Sequence, residues 1–329
     1  RGLGDVYKRQ HLHEGGLAMI TFTSAFASRI EAMLEWREAL GYSRRTLTYE
    51  LLSFDRFCVR CRPGETVLSR ELATAWCQEG TRVDWPAHKA RAVRAFGKYL
   101  RLLGEDAFEL PAAWIGPRVR SLPHVFADAE LAAFFAAADR MTPCMASPFR
   151  EYTIPVFFRL MLGCGLRPQE ARLLRRRNVD TRSSVLTIER SKRNKDRRVP
   201  VDEALAGLLV RFDDLAELRR PGREFFFEDH ATQPYPARWI TAAYHRCRAM
   251  AGGIAPGSTP YTLRHNYASR TLTRWVEQGR DLNVWLPYLS AYMGHDTYSS
   301  TAYYVHLLPE RLAATGLTSA AGIIPEVTP

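Results

Sequence analysis

The segment MGHDTYSSTAYYVHLL, residues 293–308, places three tyrosines, Tyr298, Tyr303 and Tyr304, between two histidines, His295 and His306. Aromatics at this density usually pack a helix against a core. On a helix, Tyr303 and Tyr304 project about 100° apart, so two adjacent phenols cannot share one role. One can pack while the other does chemistry, and periodicity alone does not choose between them. What the rest of the chain supplies around this segment decides the reading.

The chain has 329 residues, 46% apolar and 25% charged, enough for two ordinary domains with buried cores. Lys and Arg number 46 against 35 Asp and Glu, a net charge of +11, with a sequence pI near 9.6. Such an excess favours a polyanionic partner, most simply nucleic acid. The six cysteines are scattered, and the single C-x-x-C pair, Cys58 and Cys61, has no second pair at zinc spacing. They read as buried thiols of a reducing compartment, so the expected location is the cytoplasm, at the nucleoid. No apolar run reaches membrane-spanning length. The opening RGLGDVYKRQHLHEGG is basic and lacks an apolar core segment, so no signal peptide is expected in it. Residues 1–23 are expected to be a non-native or disordered leader, with the natural start at Met19.

From Ser24 the pattern is helical. Phe26, Ile30, Met33 and Leu34 form one stripe, with Ser24 as its cap and Gly41 as its end. Leu47, Leu51, Phe54 and Cys58 form a second, stopped by Arg62-Pro63-Gly64. A short helix near 68–78 follows, then one from about Pro86 to Leu103 with Val93, Phe96, Leu100 and Leu103 on its apolar face. Its polar positions include Lys89 and Arg94, expected to meet DNA. Residues 24–104 therefore read as a small, basic, all-helical domain, and the proline-rich stretch 105–123 as a linker. A helix capped by Asp128 opens a second domain, 124–312, with Leu131, Phe134, Phe135 and Ala138 as its stripe. Residues 184–201 are the one clear β signal: Val185 to Ile188, a polar turn, and a return through Arg198, Val199 and Val201. Helices follow at about 202–218, 236–251 and 260–277, and a short one carries Pro287 near its first turn and Gly294 at its end. The expected fold class is α+β, mostly α with a small β-hairpin or sheet. Residues 313–329 read as a tail.

Charge is concentrated. Between Arg172 and Arg198 stand 11 Lys and Arg against Asp180, Glu189 and Asp196. The hairpin tip, with Arg190, Lys192, Arg193, Lys195 and Arg197, suits a duplex backbone, where each neutralised phosphate releases counterions. A solvated turn without a partner is the plainer alternative. CGLRPQEARLL, 164–174, puts Arg167 before a helix-opening Pro168 and three residues ahead of Glu170, which can hold its guanidinium. TPYTLRHNYASRTL, 259–272, carries Arg264 and His265. A phosphodiester under attack needs always-charged, planar donors on its non-bridging oxygens, a nucleophile, and an acid for the leaving oxygen. Arg167, Arg264, Lys192, His295 and a tyrosine meet those needs. No carboxylate cluster suggests a two-metal site.

The segments GLRPQEARLL, SKRNKDRRVP, YTLRHNYASRTL and MGHDTYSSTAYYVH, in this order, resemble the signature boxes of the tyrosine recombinases, the phage-integrase family. The resemblance covers about residues 24–312. It implies a helical core-binding domain followed by a tyrosine-recombinase catalytic domain, closing as a clamp on double-stranded DNA. It implies strand cleavage through a 3′-phosphotyrosyl link, with no cofactor and no catalytic metal. It also implies a homo-tetramer on two duplexes, a C-terminal segment exchanged between protomers, and accessory or co-encoded recombinases for some members.

Carried over residue by residue, Arg167 and Arg264 resemble the two phosphate-binding arginines and Glu170 the supporting carboxylate. Lys192 resembles the lysine that protonates the departing 5′-oxygen, with Lys195 as the nearby alternative. His295 takes the later His or Trp position, and His265 a mainly structural one. The family spacing, nine residues after His295, places Tyr304 at the nucleophile position and makes Tyr303 a packing residue. Tyr298 would seat the segment or touch DNA, and His306 would be structural or weakly assisting. One position departs: the family usually has His or Lys three residues before the second arginine, and here it is Tyr261. A phenol, with a reference pKa near 10, cannot take up a proton as imidazole does. The long segment before His295 inclines the reading toward transposon-borne integrases. A DNA-binding regulator whose catalysis has decayed, and a topoisomerase-like relaxing enzyme, are the alternatives.

Overall fold

The computed structural model describes residues 20–42, 44–79, 87–115, 123–145, 147, 149–189, 196–229, 231–295 and 297–307. The chain divides into two compact units, Arg1–Ser121 and Leu122–Pro329. Among the described residues no helix is long and apolar enough to cross a membrane.

The first unit is built on four helices, α1 (Ala27–Ala39), α2 (Arg45–Cys61), α3 (Arg70–Gln78) and α4 (Ala87–Leu102). Each contributes one large aromatic to a single cluster. Phe54 of α2 lies 5.3 Å from Trp76 of α3, 5.9 Å from Phe96 of α4 and 5.5 Å from Phe26 at the head of α1. All four side chains are fully buried. Tilted and edge-on rings at these separations add to the gain from area alone. Asp55, also buried, accepts the backbone N–H groups of Thr23 and Ser24 and so fixes how the chain enters α1. The Ser24 hydroxyl in turn accepts the Phe26 N–H at 3.2 Å.

Two sequence expectations change here. The stretch 105–115 is not a linker. Leu110 is fully buried in the first unit's core, with Phe108 and Ile115 packed against it. Nor does the unit begin at Ser24, since Phe22 is buried and Ile20 packs on the same core. Residues 116–122, the remainder of the expected linker apart from Pro123, lie outside the described residues, as do 1–19 of the expected leader and the tail 313–329.

Gly97, inside α4, shows how closely the 105–110 segment lies on that helix. A Cβ there would stand 2.2 Å from the Phe108 carbonyl oxygen. Alanine in a helix interior ordinarily gains up to about 1 kcal/mol over glycine. At this position the sign reverses, because a backbone carbonyl must move. Gly97→Ala is expected to destabilise the first unit by about 2–3 kcal/mol in urea denaturation, on the scale of overpacking. A stabilised variant would contradict this packing.

The second unit contains α5 (Asp128–Asp139), α6 (Arg150–Cys164), α7 (Pro168–Arg172), α8 (Glu203–Arg219), α9 (Ala237–Met250), α10 (Tyr261–Glu277), α11 (Leu282–Met293) and α12 (Tyr298–Ala302). It also holds an antiparallel sheet in the order β1 (Val179–Asp180), β2 (Val185–Ile188), β3 (Arg197–Pro200). Leu186 faces Val199, and Ile188 faces Arg197. The mostly α, small-sheet class expected from the sequence is what forms.

Helix α6 runs through the middle and packs against α5, α8 and α10. It buries Ile154, Val156, Phe157, Phe158, Leu160, Met161 and Cys164. A helix apolar on most sides carries no amphipathic stripe, and Pro155 interrupts it. The sequence reading assigned no helix there for that reason. At the head of α5 the cap expected from Asp128 is made instead by Glu130, whose carboxylate accepts the Ala127 N–H at 2.9 Å. Asp128 pairs with Arg270. The thiols also differ from expectation: Cys58, Cys77, Cys164 and Cys247 are buried, but Cys61 is exposed and Cys144 half-buried.

Candidate active site

Two glycine-ended helices build the floor of the site. Gly165 ends α6 at φ +58° and Gly294 ends α11 at φ +65°, both left-handed, where glycine carries no Cβ penalty. A Cβ at Gly165 would stand 2.4 Å from the Tyr267 ring, and one at Gly294 would stand 2.9 Å from Arg197 Nη1. At such ends the last carbonyls lack helical partners and carry the negative pole of the helix. Arginines take them. Arg264 donates from Nη1 to the Gly165 carbonyl at 2.6 Å and from Nη2 to the Met293 carbonyl at 2.7 Å. Arg167 donates from Nη2 to the Gly294 carbonyl at 2.6 Å. Two arginines 97 positions apart in the chain are thereby held side by side.

Glu170 is the centre of this arrangement. Its carboxylate accepts the Arg167 backbone N–H at 2.9 Å and Arg167 Nη1 at 2.6 Å. It also receives a fork from Arg197, at 2.9 and 2.8 Å, and lies 3.9 Å from Arg264. Burial pushes its carboxyl up, but the Arg197 fork and the Arg167 contacts outweigh this and bring it down to about 2. One carboxylate thus faces three guanidiniums, and the excess positive charge is sunk in the protein. Arg264 is fully buried, and its Nε has no hydrogen-bond partner among the described residues. Burial and the neighbouring Arg167 charge pull its pKa down. For Arg167, burial acts the same way, yet Glu170 and the Tyr261 hydroxyl more than offset it and the pKa rises. A place with this surplus is prepared for an anion.

Tyr304 closes the site from the other side. It sits in a single 3₁₀ segment, Tyr303–Leu307, directly after α12, and is 3% exposed. His265 Nδ1 stands 3.0 Å from Tyr304 Oη. The His295 ring stacks nearly parallel on the Tyr304 ring, 6.0 Å between centroids at 19°. Its Nδ1 is tied to the Thr301 hydroxyl at 2.7 Å, so its remaining hydrogen-bonding atom is Nε2. Burial, then the charges of Arg264, Arg167 and Arg197, push His295 down to about 3. Burial and Arg264 push His265 down to about 4. Both imidazoles are therefore neutral at pH 7. Burial raises the Tyr304 phenol above its ordinary range, against the pull of Arg264 and Arg167. Tyr303 is half-buried among the aromatics around α11, its ring 5.9 Å from that of Tyr304. Tyr261 lies on the shared face of α10, its ring 4.9 Å from His265 and 6.0 Å from the Arg264 guanidinium carbon.

The structure thus gathers Arg167, Glu170, Tyr261, Arg264, His265, His295 and Tyr304 around one point. Arg190, Lys192, Arg193 and Lys195 lie outside the described residues. Three residues expected at DNA have other partners. Arg197 does not reach outward: its side chain is 9% exposed, forks onto Glu170, and donates from Nε to the Tyr292 carbonyl at 2.8 Å. Strand alternation carried that signal, since Arg197 shares a face with buried Val199 while exposed Arg198 points the other way. Lys89 is buried, donating to the Trp76 and Glu79 carbonyls at 3.0 and 3.1 Å. Arg94 bonds the Leu110 carbonyl and pairs with Glu109 at 2.8 Å. Thr301 had no signal in the sequence, because its role exists only through the turn that brings His295 to it. Among the described residues no group of three His, Cys, Asp or Glu side chains is placed to hold a metal ion.

Comparison with known proteins bears on the family and the fold. The model of the phage integrase family matches residues 125–311, from the start of the second unit through the tyrosine segment. The chain belongs to the phage integrase family. The integrase/recombinase y4rE of Sinorhizobium fredii is 28% identical over 296 residues, 87% of this chain and 93% of that protein. Tyrosine recombinase XerC of Bradyrhizobium diazoefficiens is 28% identical over 317 residues, 89% of this chain and 94% of that one. Among solved structures, the XerH site-specific recombinase bound to its palindromic difH substrate, a post-cleavage complex, has a TM-score of 0.61 at 16% identity. It covers 88% of this chain and 84% of that chain. The Tn1549 transposon integrase bound to transposon right-end DNA reaches 0.60 at 14% identity, covering 88% and 100%. At such identities the structural likeness concerns the fold. As an integrase-family member, this chain places the two box arginines, the later histidine and the last tyrosine on one site.

Proposed function

We propose that this chain is a tyrosine-type site-specific DNA recombinase. It cleaves a strand of double-stranded DNA through a 3′-phosphotyrosyl intermediate and rejoins it to a partner strand, integrating, excising or resolving a mobile element. The observation that carries this reading is the pairing of a buried phenol, Tyr304, with three guanidiniums that share one carboxylate. Three guanidiniums against one carboxylate leave a surplus of two positive charges, part of which a phosphodiester neutralises, and its phosphorus would meet Tyr304 Oη. Arg167 and Arg264 hold its non-bridging oxygens, His295 donates to one of them, and Glu170 keeps both arginines in place. Guanidiniums fixed by helix ends need no reorganisation as charge builds on the five-coordinate phosphorus. Lys192 protonates the departing 5′-oxygen. Its assignment rests on the family resemblance. The bond energy stays in the tyrosyl ester, so a 5′-hydroxyl can reverse the step without ATP. We further propose that four protomers act on two duplexes.

The test is a nicked suicide duplex built on the sequence that the protein selects from a random DNA pool. Wild type is expected to trap as a covalent adduct resistant to denaturation. One observation favours a second reading, a DNA-binding regulator without catalysis: Tyr261 stands where the family usually has a proton-carrying side chain. Binding of the selected duplex with no adduct would establish that reading instead.

A further inference from the structure

The family resemblance leaves a gap in the proton path, because position 261 carries a phenol. We infer that His265, the residue after the second arginine, is the proton acceptor for Tyr304 in strand cleavage and its proton donor in rejoining; this rests on the recombinase reading above. His265 Nδ1 and Tyr304 Oη are 3.0 Å apart, with Tyr304 buried and His265 half-buried. A general base must lie within such reach of the proton that it takes.

The neighbours do not offer an alternative. The His295 ring lies nearly parallel to the phenol ring, 6.0 Å between centroids, and its Nδ1 is held by Thr301 rather than by Oη, whereas His265 bonds Oη directly. Tyr261 has no lone basic site to receive a proton and its hydroxyl is engaged with Arg167. Glu170 is spent on Arg167 and Arg197. The groups that face His265 are Tyr261 and Arg264 from its own helix, Tyr304 from the 3₁₀ segment and His295 from the turn after α11.

In cleavage the Tyr304 O–H bond breaks as the Oη–P bond forms, and the proton moves to His265 Nδ1. The P–O5′ bond breaks, and the 5′-oxygen takes a proton from the acid on the hairpin side. Before DNA arrives, burial and the Arg264 charge hold the imidazole neutral, so Nδ1 is able to accept. The bound phosphodiester offsets the Arg264 charge and makes an imidazolium at 265 less costly as the proton arrives. In rejoining, the same imidazolium returns its proton to the leaving phenolate, and the cycle closes with no proton lost.

The experiment is single-turnover adduct formation on the selected nicked duplex from pH 5 to 10, with wild type, His265→Ala and His265→Asn. Each rate is taken on the DNA-bound fraction. At pH 7 both variants are expected to be about 10²–10³-fold slower, the scale of a positioned general base. Their deficit should shrink as pH rises, and added imidazole should partly restore His265→Ala. Rates within threefold of wild type would overturn the assignment and leave the recombinase reading intact. So would an equal deficit at every pH without imidazole rescue, which marks a positioning residue. Wild type gives its own reading should the variants fail to fold. Its rate should hold level from neutrality to pH 8 and fall only in acid, as His265 takes up a proton. A rate still climbing through pH 9 would mean that hydroxide removes the proton. No adduct from wild type at all would overturn the recombinase reading and this inference with it.

Discussion

Tyr304→Phe removes one oxygen and abolishes the covalent adduct, a fall of at least about 10⁴-fold in cleavage, the scale seen when a covalent nucleophile is deleted. The ring remains, so its contacts with the His295 and Tyr303 rings persist, and binding of the selected duplex should change by less than about threefold. Tyr303→Phe is the internal comparison. That side chain packs among the aromatics around α11, outside the arginine cluster, and its loss of a hydroxyl should leave adduct formation within a few-fold of wild type. Both variants are read by denaturing gel on the nicked duplex. An adduct from Tyr304→Phe, or its loss from Tyr303→Phe, would move the nucleophile to the neighbouring position. The distinction rests on depth. Tyr304 is 3% exposed and touches His265, while Tyr303 is half-buried one step around the 3₁₀ turn.

Glu170→Ala has the largest expected effect on stability. It leaves Arg197 and Arg167 facing each other and Arg264 with no carboxylate between them. Breaking a buried ion pair from one side costs about 3–5 kcal/mol, a large part of what a domain has. Glu170→Gln keeps the volume and one acceptor oxygen and should lose less. Urea denaturation of the full chain, monitored on the second unit, measures both. A loss below about 1 kcal/mol in Glu170→Ala would mean that water reaches these guanidiniums freely. The same charge makes the unit sensitive to acid. Glu170 is held down to about 2 from an ordinary 4.5, so its contribution is fully present above about pH 4.5 and is lost as pH falls through 2. His265 and His295, held down to about 4 and 3 from 6.5, add a loss that begins as pH drops below 6.5. Stability of the second unit should therefore decline from pH 6.5 downward. In Glu170→Gln the part of the decline below 4.5 should be flattened.

Much of the molecule was legible in the chain itself. Helices with one apolar stripe, α1, α2, α4 and α5, announce themselves because the 3.6-residue period repeats within a few turns. The β2–β3 hairpin is equally local, as is the concentration of 11 basic residues between Arg172 and Arg198. Box order and the nine-residue step from His295 to Tyr304 pointed to one phenol among three. Helix α6 escaped because it is buried nearly all round and has no polar face to set its period.

What only the tertiary structure decided is the use of each charge. Lys89 and Arg94 sit on a helix whose sequence looks like a DNA-facing surface, yet both are consumed by carbonyls and carboxylates of their own unit. Arg197 belongs to a basic hairpin in sequence and to Glu170, 27 positions away, in space. His265 lies beside the second arginine in every reading of the chain, but its contact with Tyr304 spans 39 positions. Sequence period fixes which way a side chain leaves its own helix or strand. Which carbonyl, carboxylate or phenol waits there depends on where other elements end, and here that was set by two glycines in left-handed turns, 129 positions apart, at Gly165 and Gly294.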